Sequence, residues 1–511
     1  MGVLTLLTDL WRAQEWLFPQ GNILTPATWQ GILGGLFLLT FLAWVWFAFI
    51  RPPIYGRMNA ERYGTILYRI ILEGSPSELA VIADELTRSV KSLIRHATDL
   101  GKFESLQVHD ADENKPQRNP PKVTEHADFI LQLISDKRFC RATVDSSPGT
   151  ALAVFHEMAK TNKHGVQVEI FAKNILNEAL VNRNSFLFHE AEGYESGLMG
   201  YHKPVSQAMF SNYRMVETIG TLLDLDVLGR RKLDSAQWEA YCRVVLITFR
   251  DYVETGFWSH SFVLHQAMRY IRSAASDLYK INGVTNSGWN DDIQDRLRVV
   301  VEFINDAVEI LDKKGVPYHL QLRVREKDHK TFYDHLASMI FEVIFSASAV
   351  RSPAGLCWHI QHNAVWESLF NFYRLDGAAG KIVKFKVRRL IYDEVTLMKS
   401  IPNFKGARII GFCLNVMGLT VREGDYNQDS KALKKAVLSW TKKNYAGLHS
   451  CNPYMAEKCL VDGMAYDEEN LKLVKTYDPL KGLRREPNYV YFNVDPPPGN
   501  DGQSGNAETR K

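Results

Sequence analysis

Six cysteines in 511 residues, none of them spaced as C-x-x-C, leave little material for a disulfide framework or a zinc site. Cys140, Cys242, Cys357, Cys413, Cys451 and Cys459 are scattered and read as reduced, mostly buried thiols of a cytosolic body. An excess of charge of one sign is also missing. With 61 Lys and Arg against 58 Asp and Glu, the net charge of +3 argues against nucleic acid as a partner and against a disordered acidic chain. Catalytic signatures are absent as well. No serine occupies a G-x-S-x-G elbow, and no H-E-x-x-H pattern or fixed repeat occurs. "GAAGK", Gly377 to Lys381, falls short of a phosphate-binding loop, because Leu375 replaces its first glycine and Ile382 its magnesium-binding hydroxyl.

One long apolar run is present. From Gly31 to Ile50 there is no charge, and Thr40 is the only clearly polar side chain. About 20 such residues make a helix roughly 30 Å long, the thickness of a hydrocarbon core. Thr25 and Pro26 suit its start, and Pro52-Pro53 its end. Arg51, Arg57, Arg62 and Arg69 follow it, against Arg12 alone before it, so the positive-inside rule puts the body in the cytoplasm and the N-terminus outside. Ala27, Gly31 and Gly35 line one face at four-residue spacing and offer a surface for self-association.

The rest has helical period. Two helices are expected between Arg57 and Gly101, joined at Gly74-Ser75-Pro76-Ser77, and a charged, proline-rich linker at Val108 to Lys122. Further helices are expected over Ser235 to Lys280, Asp291 to Lys314, Lys327 to Val350 and Ser430 to Tyr445, with strands at Gly165 to Phe171 and Tyr489 to Val494. The fold class is therefore mostly α: one N-terminal transmembrane helix followed by a large α-helical cytoplasmic body with few short strands. The expected divisions are an interfacial segment (1–25), the transmembrane helix (26–51), a membrane-proximal stem (52–104), a linker (105–123), helical lobes at 124–283 and 290–494, and a disordered tail (495–511).

Chemistry-bearing residues are sparse. "FHE" occurs twice, giving His156 with Glu157 and His189 with Glu190, and His359 and His362 share a helical turn. These six are candidate metal ligands or acid–base groups, with packed histidines and solvated acids as the alternative. His260 and His265, five apart, are expected to diverge. Lys381, Lys384, Lys386, Arg388 and Arg389 crowd nine residues and would suit an anion, a lipid surface or an acidic partner, or else form the wet side of a helix. The expected function is a single-pass plasma-membrane scaffold, sensor or regulator that binds the lipid bilayer and a protein partner or a second copy of itself. A tethered metal-dependent hydrolase and an oligomerising membrane effector are the alternatives. No residue pattern names a cofactor.

Overall fold

In the computed structural model, the described residues are 26–46, 54–100, 121–192, 204–226, 233–256, 260–284, 292–317, 331–371, 375–420, 428–477 and 486–497. Residues 1–25, most of the expected linker and most of the tail lie outside them, and the linker's last residues, Lys122 and Val123, begin a helix. Helix α1 is Pro26–Val45. Then come α2 (Ala60–Glu73), α3 (Pro76–His96), α4 (Lys122–Leu133), α5 (Lys137–Ser146), α6 (Pro148–Thr161) and α7 (Glu169–Val181). Three short helices follow, α8 (Phe186–Glu192), α9 (Pro204–Phe210) and α10 (Tyr213–Ile219). The second half holds α11 (Ser235–Thr255), α12 (Phe262–Ser273), a 3-10 turn at Ser276–Ile281, α13 (Asp292–Lys314), α14 (Phe332–Ala347) and α15 (Ala354–Trp358). A π-helix at His359–Asn371 leads on to α16 (Ala378–Ser400), α17 (Phe404–Met417), α18 (Gln428–Cys451) and α19 (Pro453–Lys458). A sheet of β1 (Met464–Asp467), β2 (Lys472–Tyr477) and β3 (Asn488–Asn493), antiparallel in that order, closes the chain.

Local chemistry explains the boundaries. Ser75 and Glu78 form a reciprocal capping box that starts α3, and Asp234 with Gln237 does the same for α11. Gly256, at φ 70°, ends α11, so the helical pattern from Ser235 to Lys280 is three pieces rather than one. The strand expected at Gly165 to Phe171 is not one: α7 begins at Glu169. Phe171, Ile175, Leu176, Ala179 and Leu180 are buried at helical spacing, and that longer period outweighs the short alternation before it. β3 falls where alternation placed it, whereas β1 and β2 did not stand out because β2 turns a lysine inward.

The stem is part of the body. Tyr55 Oη donates to the Val123 carbonyl, Thr98 Oγ1 donates to Asp128 at 2.6 Å, and Lys163 Nζ caps the end of α3 through the carbonyls of Ile94, Arg95 and Ala97. One hydrophobic core runs from Tyr55 to Val494 without a break between the expected lobes. Helices α11 and α13 lie side by side in parallel. The Ser235 amide donates to Asp292 at one end, and Lys314 Nζ donates to the Glu254 carbonyl at the other. Across the core Phe249 stacks on Phe332 at 4.6 Å between ring centroids.

Helix α1 stands apart from this core. From Ile32 to Trp46 most large apolar side chains are exposed, Leu39 by 66% and Trp44 by 58%. A Cβ added at Gly31 or Gly35 would meet nothing within 4 Å. The expected span extends to Ile50, and residues 47–50 lie outside the described ones. Among the described residues no helix is long and apolar enough to cross a membrane.

Candidate functional site

The π-helix follows from its apolar spacing. Its buried residues come in pairs, Ile360 with Gln361, Val365 with Trp366, and Leu369 with Phe370. Steps of five and then four fit a wider turn than 3.6 residues, so the backbone opens to keep all three pairs on the core. The opposite face of this segment meets α13 across a cavity of about 450 Å³. His359, Asn363 and Ser368 border it from the π-helix, and Asp295, Glu302 and Asn305 from α13. Pockets of this size accommodate small molecules.

Two features give the cavity its chemistry. Arg298 is bound to Asp295 at 3.1 Å, so these two charges of the wall offset one another. Asn305 is 5% exposed, and its Oδ1 has no hydrogen-bond partner among the described residues. A buried carboxamide oxygen left without a donor costs about 1–3 kcal/mol. That one acceptor suits a ligand that brings an N–H or O–H donor.

The residues expected to share chemistry are placed apart. His156 is exposed on α6, while its neighbour Glu157 is buried and ion-paired to Arg95 at 3.5 Å. Glu190 accepts the amides of Val205 and Ser206 at 2.9 Å each, which makes it the cap of α9, and His189 lies exposed beside it. His359 borders the cavity, but His362 turns away and stacks on Trp358 at 4.0 Å. Residues three apart share a face in an α-helix, and the wider π turn separates them. Conversely, His260 and His265 converge. Their rings lie 5.5 Å apart, and both approach His335, at 5.4 and 4.5 Å. The break after Gly256 folds α12 back against α14, which a single continuous helix would not do. These are ring contacts: among the described residues no group of three His, Cys, Asp or Glu side chains could hold a metal.

The basic stretch lies on α16 and is divided over its circumference. Lys384 is buried on Asp376 at 2.9 Å, Lys386 binds Asp334, Arg388 faces Asp429 at 3.8 Å, and Arg389 pairs with Asp393 at 3.0 Å. Lys381 is exposed. At "GAAGK" the start of α16 is occupied from within the protein, since the Ala379 amide donates to Asp312 Oδ1 at 2.7 Å. Among the site residues Ala27 has no described side chain, and Gly31 and Gly35 lie on the exposed face of α1.

Two polar groups escaped the sequence reading. Asn305 lies on the inner face of α13, four residues after Val301 and three before Val308, and only that spacing marks it. Lys475, 5% exposed, donates to the Asn415 carbonyl at 2.8 Å beneath the rings of Trp358 and Tyr477. Asn415 in turn donates to Gln361 at 3.0 Å and to Cys357 at 3.3 Å, tying the sheet to the π-helix. Comparison with known proteins returns no matching family model, no similar curated protein and no similar solved structure.

Proposed function

We propose that this chain is a membrane-anchored sensor, in which α1 and the residues after it hold a helical body against the cytoplasmic face and the α13/π-helix cavity binds a small polar ligand. The observation that carries the reading is the partnerless Asn305 oxygen in the cavity wall. A ligand donor there removes a desolvation cost already present in the empty protein. The anchor is supported by the exposed apolar side chains of α1, which are unfavourable in water on every side and suit a bilayer or another chain. Opening or closing the π-helix around a ligand would pass through Gln361 and Asn415 to the sheet, giving the body a surface to signal from.

Two measurements test it. Membranes from cells making the full-length protein are washed at alkaline pH. Retention in the pellet supports the anchor, and release into the supernatant overturns it. The purified protein is then melted against a panel of amines, amides and polyols. We expect at least one to raise Tm in the wild type and none in Asn305→Leu, whose unliganded melting is unchanged or higher. A panel without effect, or an identical response in the variant, overturns the cavity.

A further inference from the structure

A second cavity, of about 420 Å³, lies where the end of α12 and the 3-10 turn meet α14 and α17. Its wall carries two guanidinium groups, Arg272 and Arg408. Neither is bound to a carboxylate among the described residues. Arg408 is held by neutral groups. It donates to the Phe345 carbonyl at 2.6 Å and to Ser348 Oγ at 3.2 Å, and it lies over the Phe345 ring at 4.2 Å. Burial, and then the neighbouring charge of Arg351, disfavour its protonated form. The one acid in the wall, Glu342, is neutralised by Lys405 at 3.2 Å. Ser273 and Ser276 also line it, their hydroxyls donating to the carbonyls of Tyr270 and Ser273, and the Tyr279 hydroxyl is at its edge.

Like charges gathered in a half-buried pocket repel one another, and an anion seated between them relieves that repulsion. Guanidinium groups offer forked donors that match phosphate oxygens. We propose that this cavity binds the phosphate group of a phosphorylated ligand, with Arg272 and Arg408 as its clamp and the Tyr279 hydroxyl as a further donor. The site is independent of the cavity at Asn305. A phosphate group reaches it either on a soluble molecule or as a lipid headgroup.

The test uses the full-length protein. In detergent solution, inorganic pyrophosphate is titrated calorimetrically and by thermal melting. In phosphatidylcholine nanodiscs, melting is compared with and without a phosphoinositide. A response to pyrophosphate identifies a soluble source, and a response confined to the phosphoinositide discs identifies a lipid one. Arg272→Gln, which removes no side-chain hydrogen bond or ion pair among the described residues, is expected to weaken binding about tenfold, with Arg272→Lys recovering part of the loss. Affinity is expected to fall as salt rises. Absence of binding by both probes overturns the proposal. So does an Arg272→Gln protein that melts like the wild type and binds as tightly.

Discussion

At the scale of single residues, Lys475 is the clearest case of tertiary structure setting chemistry. Burial pulls its pKa down to about 8, with the nearby Cys357 thiol acting in the opposite sense. The unfolded chain holds this proton up to about pH 10.4, so between about pH 8 and 10.4 the unfolded state binds more protons than the native one. Stability from this group therefore rises with pH through that window, by on the order of 2–3 kcal/mol, and the penalty is complete below it. Buried thiols act oppositely. Burial pushes Cys357, Cys413 and Cys459 up to about 12, and they lose stability as pH climbs from the ordinary thiol range. The readout is therefore a difference: urea unfolding of wild type minus Lys475→Met. That difference should grow in favour of the wild type from pH 8 to 10, and a flat difference would show that Lys475 is not buried as a cation. A glycine supplies the second residue-scale prediction. A Cβ on Gly380 would collide with the Leu375 backbone, so Gly380→Ala should lower stability by about 1–3 kcal/mol in the same assay.

At the scale of elements, helix ends were the most legible feature, because capping is local. Ser75, Pro76 and Glu78 mark the start of α3 in sequence and cap it in structure, and Ser75→Ala should cost about 1 kcal/mol by denaturant titration. The start of α16 is different. Its cap is Asp312, 67 positions earlier in the chain, a contact that no local pattern reveals. Asp312→Ala should therefore cost more than the Ser75 change, about 1–2 kcal/mol, because it leaves a partly buried amide without an acceptor. The π-helix sits between these cases. Its paired apolar residues are visible in the sequence, whereas an ordinary helical turn would set His359 and His362 on one face. Half of the cavity was within reach of sequence reading through His359. Asn305 was not, because an amide in an apolar stripe resembles an ordinary helix surface position until the neighbour that faces it is known.

At the scale of the whole molecule, the described residues of the expected stem and two lobes contribute to one continuous core. Parallel packing of α11 against α13 crosses the position where a lobe boundary was expected, and hydrogen bonds hold it at both ends. Unfolding should therefore be concerted. Variants that keep Trp238 or Trp440 as the reporting fluorophore should give the same urea midpoint, and separated midpoints would show two independent lobes.

The sequence by itself determined the predominance of helix, the junction of α2 and α3, the span of α13, the strand β3, and the apolar, uncharged character of α1. All of these rest on periods and caps whose partners lie within a few residues. Tertiary structure alone decided that α2 and α3 join the body, that the basic residues of α16 spend their charge on Asp376, Asp334, Asp429 and Asp393, and that His260 meets His335. It also decided that Asn305, Lys475 and Arg408 sit half or wholly out of water. The reason is physical. A side chain's charge, partner and reactivity depend on the dielectric and the donors around it, and residues far away in the chain supply both.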